Sequence, residues 1–236
     1  MIEPVAEASF KNKVKEASIK GTLLFELVND VQRFSKKAKV NICCDLGGRD
    51  GGNLILLERY GVKYNEAYVI DLFPRPIFKN LKYIRLDLSK DNLPFNDSSV
   101  DLVLLIEVIE HLIDPDFCLK EIKRILSPGG IAIITTPNLA WWPNILLLAS
   151  ASQPIFTEVS SRKIYGRKGS VVGHLRVFTY LSLLEMLLDF GFKILKYKTV
   201  RTSVTEQLPK FLQIIDLLVH KFNKRLGCDI YCVATK

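Results

Sequence analysis

Hydrophobic and polar positions alternate along the chain with two different periods. Over residues 7–34, apolar side chains return at spacings of three and four, which predicts an amphipathic helix. From Val40 onward, short apolar runs alternate with helical stretches, the pattern of strands buried on both faces of a parallel sheet. The runs lie at 40–44, 67–70, 83–86, 101–106 and 130–136. These residues predict an α/β fold.

The pattern changes beyond Pro137. Residues 138–173 have no clear period and contain Trp141 and Trp142, which predicts a long covering loop, or lid. The two tryptophans either line a pocket for an apolar acceptor or simply pack in the interior. Thr179 and Gly191 then suit the cap and the end of a helix.

The last part of the chain predicts two strands, at 192–201 and 230–234, joined through a helix at 208–222. The apolar residues of this helix share one face. We interpret that face as packing against the core, in preference to binding a membrane surface. Its members are Phe211, Ile214, Ile215, Leu218 and Phe222.

Composition indicates an ordinary globular protein, because 48% of the 236 residues are hydrophobic and 25% are charged. No apolar run is long enough for a membrane span, and the first ten residues lack the features of a secretory signal, so we expect a cytoplasmic protein. The five cysteines have no metal-binding spacing and predict reduced core thiols. The net charge of +8 is spread along the chain, which does not favour nucleic acid as the partner.

A glycine-rich turn follows the first predicted strand, in the sequence CCDLGGRDGGNLILL. Such turns let a ligand approach the backbone closely at the start of a helix. The dinucleotide pattern G-x-G-x-x-G fails, because Arg49 and Asp50 stand where glycines are required. Asp45 and Asp50 also make the turn acidic, which suits a ligand with a cationic amino-acid portion.

Two further carboxylates end the next two strands. Asp71 lies where it can accept hydrogen bonds from the hydroxyls of a ribose. Asp87 can accept from the exocyclic amine of an adenine. Because the carboxyl ends of parallel strands share one edge of the sheet, the glycine turn and these carboxylates predict a site for an adenosine that bears an amino acid.

These residues resemble the class I S-adenosylmethionine-dependent methyltransferases. The resemblance runs through DLGGRDG (45–51), VID (69–71), residues 86–112 and LSPGG (126–130), and it continues over 173–192. It implies a doubly wound, mostly parallel, seven-stranded Rossmann-like sheet with the last strand antiparallel. Arg49 departs from the family pattern, which has a second glycine at that position.

The resemblance also implies a division of labour within one domain, residues 1–236. Residues 1–39 would form a helical cap, 40–137 the half that binds S-adenosylmethionine, and 138–236 the lid and the acceptor side. The residues expected to bind the methyl donor are Asp45, Gly47, Gly48, Gly51, Asp71, Leu72, Asp87, Leu88 and Glu107.

The acceptor side begins at Glu107-Val-Ile-Glu110-His111, and His174 follows in the lid. Two carboxylates and an imidazole can hold a divalent cation when further ligands arrive from elsewhere, so Glu107, Glu110, His111 and His174 are candidate metal ligands. This set resembles that of small-RNA 2′-O-methyltransferases and of some ubiquinone-pathway O-methyltransferases. The alternative is that Glu110 and His111 only hydrogen-bond neighbouring loops.

Both histidines are also candidate catalytic bases, since imidazole titrates near neutral pH. For His174, packing of the lid beside Phe178 is the competing interpretation.

The leading expectation is methyl transfer from S-adenosylmethionine to a small-molecule acceptor. One alternative is a metal-assisted O-methyltransferase acting on RNA or on a diol-like or catechol-like acceptor. A second alternative is a non-catalytic nucleoside-binding scaffold.

Overall fold

A seven-stranded sheet organises the protein. The computed structural model describes residues 12–17, 20–35 and 40–236. The strands are β1 (Val40–Leu46), β2 (Tyr64–Asp71), β3 (Lys82–Arg85), β4 (Val100–Ile106), β5 (Leu126–Pro137), β6 (Lys193–Val200) and β7 (Asp229–Thr235). Their order is β3-β2-β1-β4-β5-β7-β6, with β7 antiparallel to both of its neighbours and the other pairs parallel. The predicted sheet is confirmed.

Helices cover both faces of this sheet. They are α1 (Leu23–Ser35), α2 (Gly52–Arg59), α3 (Pro115–Ile125), α4 (Trp142–Ala149), α5 (Tyr180–Asp189), α6 (Ser203–Glu206) and α7 (Lys210–Phe222), with a 3-10 turn at Ile109–His111. Adjacent strand residues point to opposite faces, so Cys43 packs in the cluster that contains α1 and α2 while Cys44 packs in the cluster that contains α3 and α5. All five cysteines are buried and unpaired.

The predicted helix at 7–34 is interrupted. Residues 12–17 are helical, and α1 starts only at Leu23. Between them, Gly21 has a φ of 85°, and Thr22 forms a bridge with Arg201 at the end of β6. The chain leaves the helix here because its backbone pairs with the sheet edge. The predicted first turn and residues 18–19 lie outside the described residues.

The predicted loop at 138–173 contains a helix, α4. The pattern hides it because residues 145–148 are all apolar, and Pro143 in the first turn suits a helix start. Trp141 is fully buried, and the indole N–H groups of Trp141 and Trp142 both donate to Asp216 Oδ1 at 2.8 Å. The tryptophans therefore tie α4 to α7, in agreement with the packing interpretation.

The helix predicted at 208–222 forms as α7, but the prediction that its apolar face packs on the core is wrong. All five of the apolar residues named above are exposed, Phe222 to 86%. The helix is turned so that Asp216 is buried under it, because both indoles bond to that carboxylate. Within the described ranges, no helix is long and apolar enough to cross a bilayer.

The predicted helix between Thr179 and Gly191 is confirmed as α5. Thr179 Oγ1 accepts from the Ser182 N–H at 3.2 Å, and Ser182 Oγ accepts from the Thr179 N–H at 2.9 Å, which forms a reciprocal cap. Gly191 follows the helix with a φ of 75°. This geometry favours glycine and stops the helix.

Candidate functional site

The turn after β1 approaches the neighbouring strands closely. Gly47 N–H donates to Ile70 O at 2.7 Å, which joins the turn to the end of β2. Its φ is 73°, and a Cβ on it would lie 2.4 Å from Val108 Cγ2. Only glycine satisfies both conditions, since other residues pay for this backbone conformation and have no room.

Arg49 stands in the same turn with a φ of 44°. Its N–H donates to Asp71 Oδ2 at 3.1 Å, and its carbonyl accepts from the Arg75 N–H at 2.7 Å. The left-handed conformation explains why glycine is typical at this position. The turn accommodates the arginine because its side chain is exposed.

The two strand-end carboxylates lie at the same edge as this turn. Asp71 Oδ1 accepts from the Phe73 N–H at 2.8 Å, so backbone bonds fix both carboxylate oxygens. Asp87 Oδ1 accepts from the Ser89 N–H at 3.0 Å. That bond lowers the pKa of Asp87. Both side chains are therefore oriented acceptors.

A cavity of about 440 Å³, here called the loop cavity, opens beside the turn. This volume lies within the range of about 300–1,000 Å³ for small-molecule sites. Six of the nine predicted donor-binding residues line it: Gly47, Asp71, Leu72, Asp87, Leu88 and Glu107. His111 and Arg49 line it as well.

The other three predicted donor-binding residues, Asp45, Gly48 and Gly51, are absent from that lining. Asp45 is buried beneath the turn, where a Cβ on Gly48 would lie 2.4 Å from its Oδ2. Burial raises the pKa of Asp45 to about 7. Gly51 caps α2 with a φ of 81°. These three residues therefore support the turn on the side away from the loop cavity.

Glu107 lies between the loop cavity and a second space. It follows β4 with a φ of 57°, and Thr135 Oγ1 donates to its Oε1 at 2.7 Å. Burial raises the pKa of Glu107 to about 7. The nearby Glu16 carboxylate adds to this rise, and the hydrogen bond from Thr135 opposes it. A group of this kind can hold or release a proton near neutral pH.

The second space, here called the inner cavity, has a volume of about 230 Å³ and is rich in acidic groups. Three acidic residues, Glu16, Glu107 and Asp229, line it together with Lys13 and Phe156. Asp229 is buried, and its Oδ1 has no hydrogen-bond partner among the described residues. Burial and the Glu107 carboxylate raise the pKa of Asp229. A neutral or cationic group suits this space better than an anion.

A cluster of Glu110, His111 and His174 adjoins the loop cavity, and its ligand atoms lie within 4.8 Å of one another. Glu110 is buried, with Thr136 Oγ1 donating to its Oε2 at 2.9 Å. Its Oε1 has no hydrogen-bond partner in the described part of the chain. Oε1 faces His111 Nε2 at 3.9 Å and His174 Nε2 at 4.0 Å. Glu107 is not part of this cluster.

Backbone carbonyls determine which nitrogens of the two rings face Glu110. His111 Nδ1 lies 3.0 Å from Gly173 O, and His174 Nδ1 lies 2.8 Å from Phe156 O. A carbonyl only accepts, so each Nδ1 carries hydrogen, and each ring turns its Nε2 toward Oε1. Burial lowers the pKa of His174, which favours its neutral form. This is the ring orientation that metal-binding histidines adopt.

The comparisons with known proteins agree with this geometry. Residues 23–197, about three quarters of the chain, match a family model described as a methyltransferase domain. The chain belongs to this family. Its fold is that of the class I S-adenosylmethionine-dependent methyltransferases.

Individual relatives are more distant. A probable S-adenosylmethionine-dependent methyltransferase of Mycolicibacterium smegmatis is 40% identical over 81 residues, which cover 33% of this chain and 29% of that protein. The chain thus spans under a third of the length of this relative and of two similar proteins of Mycobacterium tuberculosis.

Solved structures support the fold alone. A methyltransferase crystal structure from Archaeoglobus fulgidus has a TM-score of 0.59 at 15% identity and covers 98% of both chains. A Haloferax volcanii methyltransferase, solved in complex with the Trm112 activator, has a TM-score of 0.56 at 18% identity and covers 86% of this chain and 87% of that one.

Sequence reasoning missed several residues of this candidate site. Thr135 and Thr136, at the end of β5, bond Glu107 and Glu110. Thr135 pairs in register with Ile106, so the rule that sites lie at strand ends would have found it. Asp229 starts the antiparallel β7 opposite Pro137, which brings it to the same edge. Glu16 of the N-terminal helical segment had no comparable signal.

Proposed function

We propose that this protein transfers the methyl group of S-adenosylmethionine to a small molecule. The observation that carries the proposal is the loop cavity, in which the Gly47 turn and the Asp71 and Asp87 carboxylates meet. Asp71 would hold the ribose, Asp87 the adenine, and the acidic turn the amino-acid end. The donor supplies an activated methyl group on a positively charged sulfur, which leaves as a neutral thioether.

Glu107 connects this donor site to the space proposed for the acceptor. It lines both the loop cavity and the inner cavity. An acceptor in the inner cavity would contact Glu107, whose carboxylate can orient it and take up a proton near neutral pH. The acidic lining favours a neutral or cationic acceptor. The chain's main contribution is alignment and exclusion of water, since the donor is already activated.

Titration calorimetry with S-adenosylhomocysteine tests the donor site. We expect micromolar binding that Asp71→Ala weakens by about tenfold or more, because hydrogen bonds to a charged group contribute about 1.5–3 kcal/mol. Asp97→Ala is the matched control, since Asp97 lies before β4, at the opposite edge of the sheet, with its side chain 77% exposed. Equal affinity of Asp71→Ala and wild type would contradict the proposal. Binding without any methyl transfer across a panel of small-molecule acceptors would favour the scaffold alternative.

The histidine cluster favours a second candidate, metal-assisted O-methylation of a hydroxyl acceptor. The observation behind it is the unpartnered Oε1 of Glu110 facing two Nε2 atoms. The separations of 3.9 and 4.0 Å exceed the roughly 3.4 Å between ligands of a tetrahedral site with bonds of about 2.0–2.1 Å, so the cluster must contract slightly around an ion.

Metal binding tests this candidate independently of activity. Wild type should bind Zn²⁺ or Mn²⁺ in equilibrium dialysis, and both Glu110→Gln and His174→Gln should lose that binding. His220→Gln, a histidine of α7 outside the cluster, should retain it. Equal metal uptake by all variants, or methyl transfer that resists EDTA, would leave Glu110 with a structural role only.

A further inference from the structure

Two helices of the C-terminal half expose their apolar residues to solvent. On α7 these are Phe211, Ile214, Ile215, Leu217, Leu218 and Phe222. On α4 they are Ile145, Leu146 and Leu148. We call these nine side chains on α4 and α7 the outer face. Asp216 accepts both indole N–H groups from the start of α4, so the two helices are joined on their inner sides.

The orientation of α7 is the reverse of an ordinary surface helix. Its apolar residues recur at spacings of three and four, which places them on one side of the helix. A surface helix of a globular protein turns such a side inward, whereas α7 buries a carboxylate and exposes this side. Exposed apolar patches of this kind mark contact sites for a partner or a membrane.

The charges around the outer face identify the kind of partner. Residues 138–157, which include α4, carry no charged side chain. Between Glu206 and Asp229, the acidic residue is Asp216, which is buried, so this stretch exposes no negative charge. Its basic residues are Lys210, Lys221, Lys224 and Arg225, all of them exposed. An apolar face with basic and no acidic flanks matches an anionic surface.

We propose that α4 and α7 form a membrane-docking surface for anionic phospholipid. The apolar side chains would enter the boundary between headgroups and acyl chains, while Lys210, Lys221, Lys224 and Arg225 meet the negative headgroups. Aromatic and aliphatic side chains beside lysines are the composition of helices that lie in the plane of a membrane interface. A protein partner, by contrast, would need both acidic side chains and a matching apolar patch.

The docking surface would place the lid beside the lipid. The later part of the lid also exposes the basic side chains of Arg162, Lys163 and Lys168. The loop cavity lies elsewhere, since α4 and α7 contribute no residue to its lining. Vesicle binding should therefore be independent of donor binding, and the two can be measured separately.

Vesicle sedimentation tests this proposal. We expect wild type to bind vesicles of equal parts phosphatidylglycerol and phosphatidylcholine, to bind pure phosphatidylcholine at least about tenfold more weakly, and to be released from the anionic vesicles by high salt. The double variant Leu218→Ser with Phe222→Ser should lower binding to anionic vesicles by about tenfold or more, since both apolar side chains would otherwise be buried in lipid. The charge-reversal pair Lys210→Glu with Lys221→Glu should lower it as well.

Leu188→Ser is the matched control, because Leu188 is an apolar residue of α5, 52% exposed, that lies outside the outer face. It should bind vesicles as wild type does. Thermal melting and S-adenosylhomocysteine titration show whether each variant is folded. Absence of binding to anionic vesicles at low salt would overturn the proposal. So would equal binding by all variants, or a dimer in solution that dissociates when Leu218 and Phe222 are replaced.

Discussion

The two halves of this protein bury different kinds of side chain. In residues 40–137, the half proposed to bind the methyl donor, the apolar runs are buried in the sheet and the polar groups of the candidate site lie where parallel strands end. In residues 138–236, the half proposed for the acceptor, α4 and α7 bury polar side chains and expose apolar ones. The two halves therefore differ in the kind of side chain that their helices and strands bury.

The largest effect expected is the pH dependence of stability that Asp45 causes. Its carboxylate is buried under the Gly47 turn. Its pKa is about 7 in the folded protein, against an ordinary value of 3.8. The folded protein therefore retains a proton that the unfolded chain releases, and the free energy of unfolding falls as pH rises through that window. The difference corresponds to on the order of 4 kcal/mol.

Urea unfolding between pH 4 and pH 8 measures this effect. Asp45→Asn should make the decline less steep, leaving the part that Glu107, Glu110 and Asp229 contribute through their own raised pKa values. Asp97→Asn, at the opposite edge of the sheet, should keep the wild-type slope. An unchanged slope in Asp45→Asn would show that the buried carboxylate does not store this energy.

Asp216 gives the corresponding effect in the acceptor half. Asp216→Ala leaves two indole N–H groups without an acceptor, one of them on the fully buried Trp141. We expect a loss of about 3 kcal/mol in the free energy of unfolding, because a buried donor left unpaired costs about 1–3 kcal/mol. Asp216→Asn keeps a carbonyl acceptor and should lose less.

Affinity for S-adenosylhomocysteine in the Asp216 variants tests whether the halves are separable. It should stay within about threefold of wild type, since no residue of α4 or α7 lines the loop cavity. A large drop in affinity would mean that the two halves are energetically coupled, and the comparison above would fail.

The smallest effect distinguishes two positions of one turn. Gly47→Ala forces a left-handed alanine whose Cβ meets Val108, so we expect about 1–2 kcal/mol of lost stability and about tenfold weaker S-adenosylhomocysteine binding. Arg49→Gly keeps the N–H bond to Asp71 and should change either quantity by less than about 1 kcal/mol. The reverse order of effects would show that Arg49 has a specific role in this protein.

The same contrast explains what could be predicted from the sequence. The strands and the Asp71 and Asp87 positions were predictable, because apolar runs determine where parallel strands end and the strand ends share one edge. The face that α7 exposes was not, because periodicity defines an apolar side without saying what covers it. Asp216 decided the orientation through its bonds to Trp141 and Trp142, which are distant in sequence.

Roles at the site were less predictable than positions. Asp45 fits the donor pattern, yet its side chain lies behind the turn rather than in the loop cavity. Glu107 and Glu110 lie three residues apart, yet one faces two cavities and the other faces two histidines. The two side chains point in different directions because Glu107 has a positive φ and because Thr135 bonds Glu107 while Thr136 bonds Glu110. Neither feature can be predicted from the spacing of the two residues.

A crystal structure with S-adenosylhomocysteine tests the central claim most directly. We predict that the ligand fills the loop cavity, with its ribose hydroxyls on the Asp71 carboxylate, its amino-acid end at the Gly47 turn and its sulfur toward Glu107. A ligand bound in the inner cavity, or one that leaves Asp71 without a contact, would contradict the account.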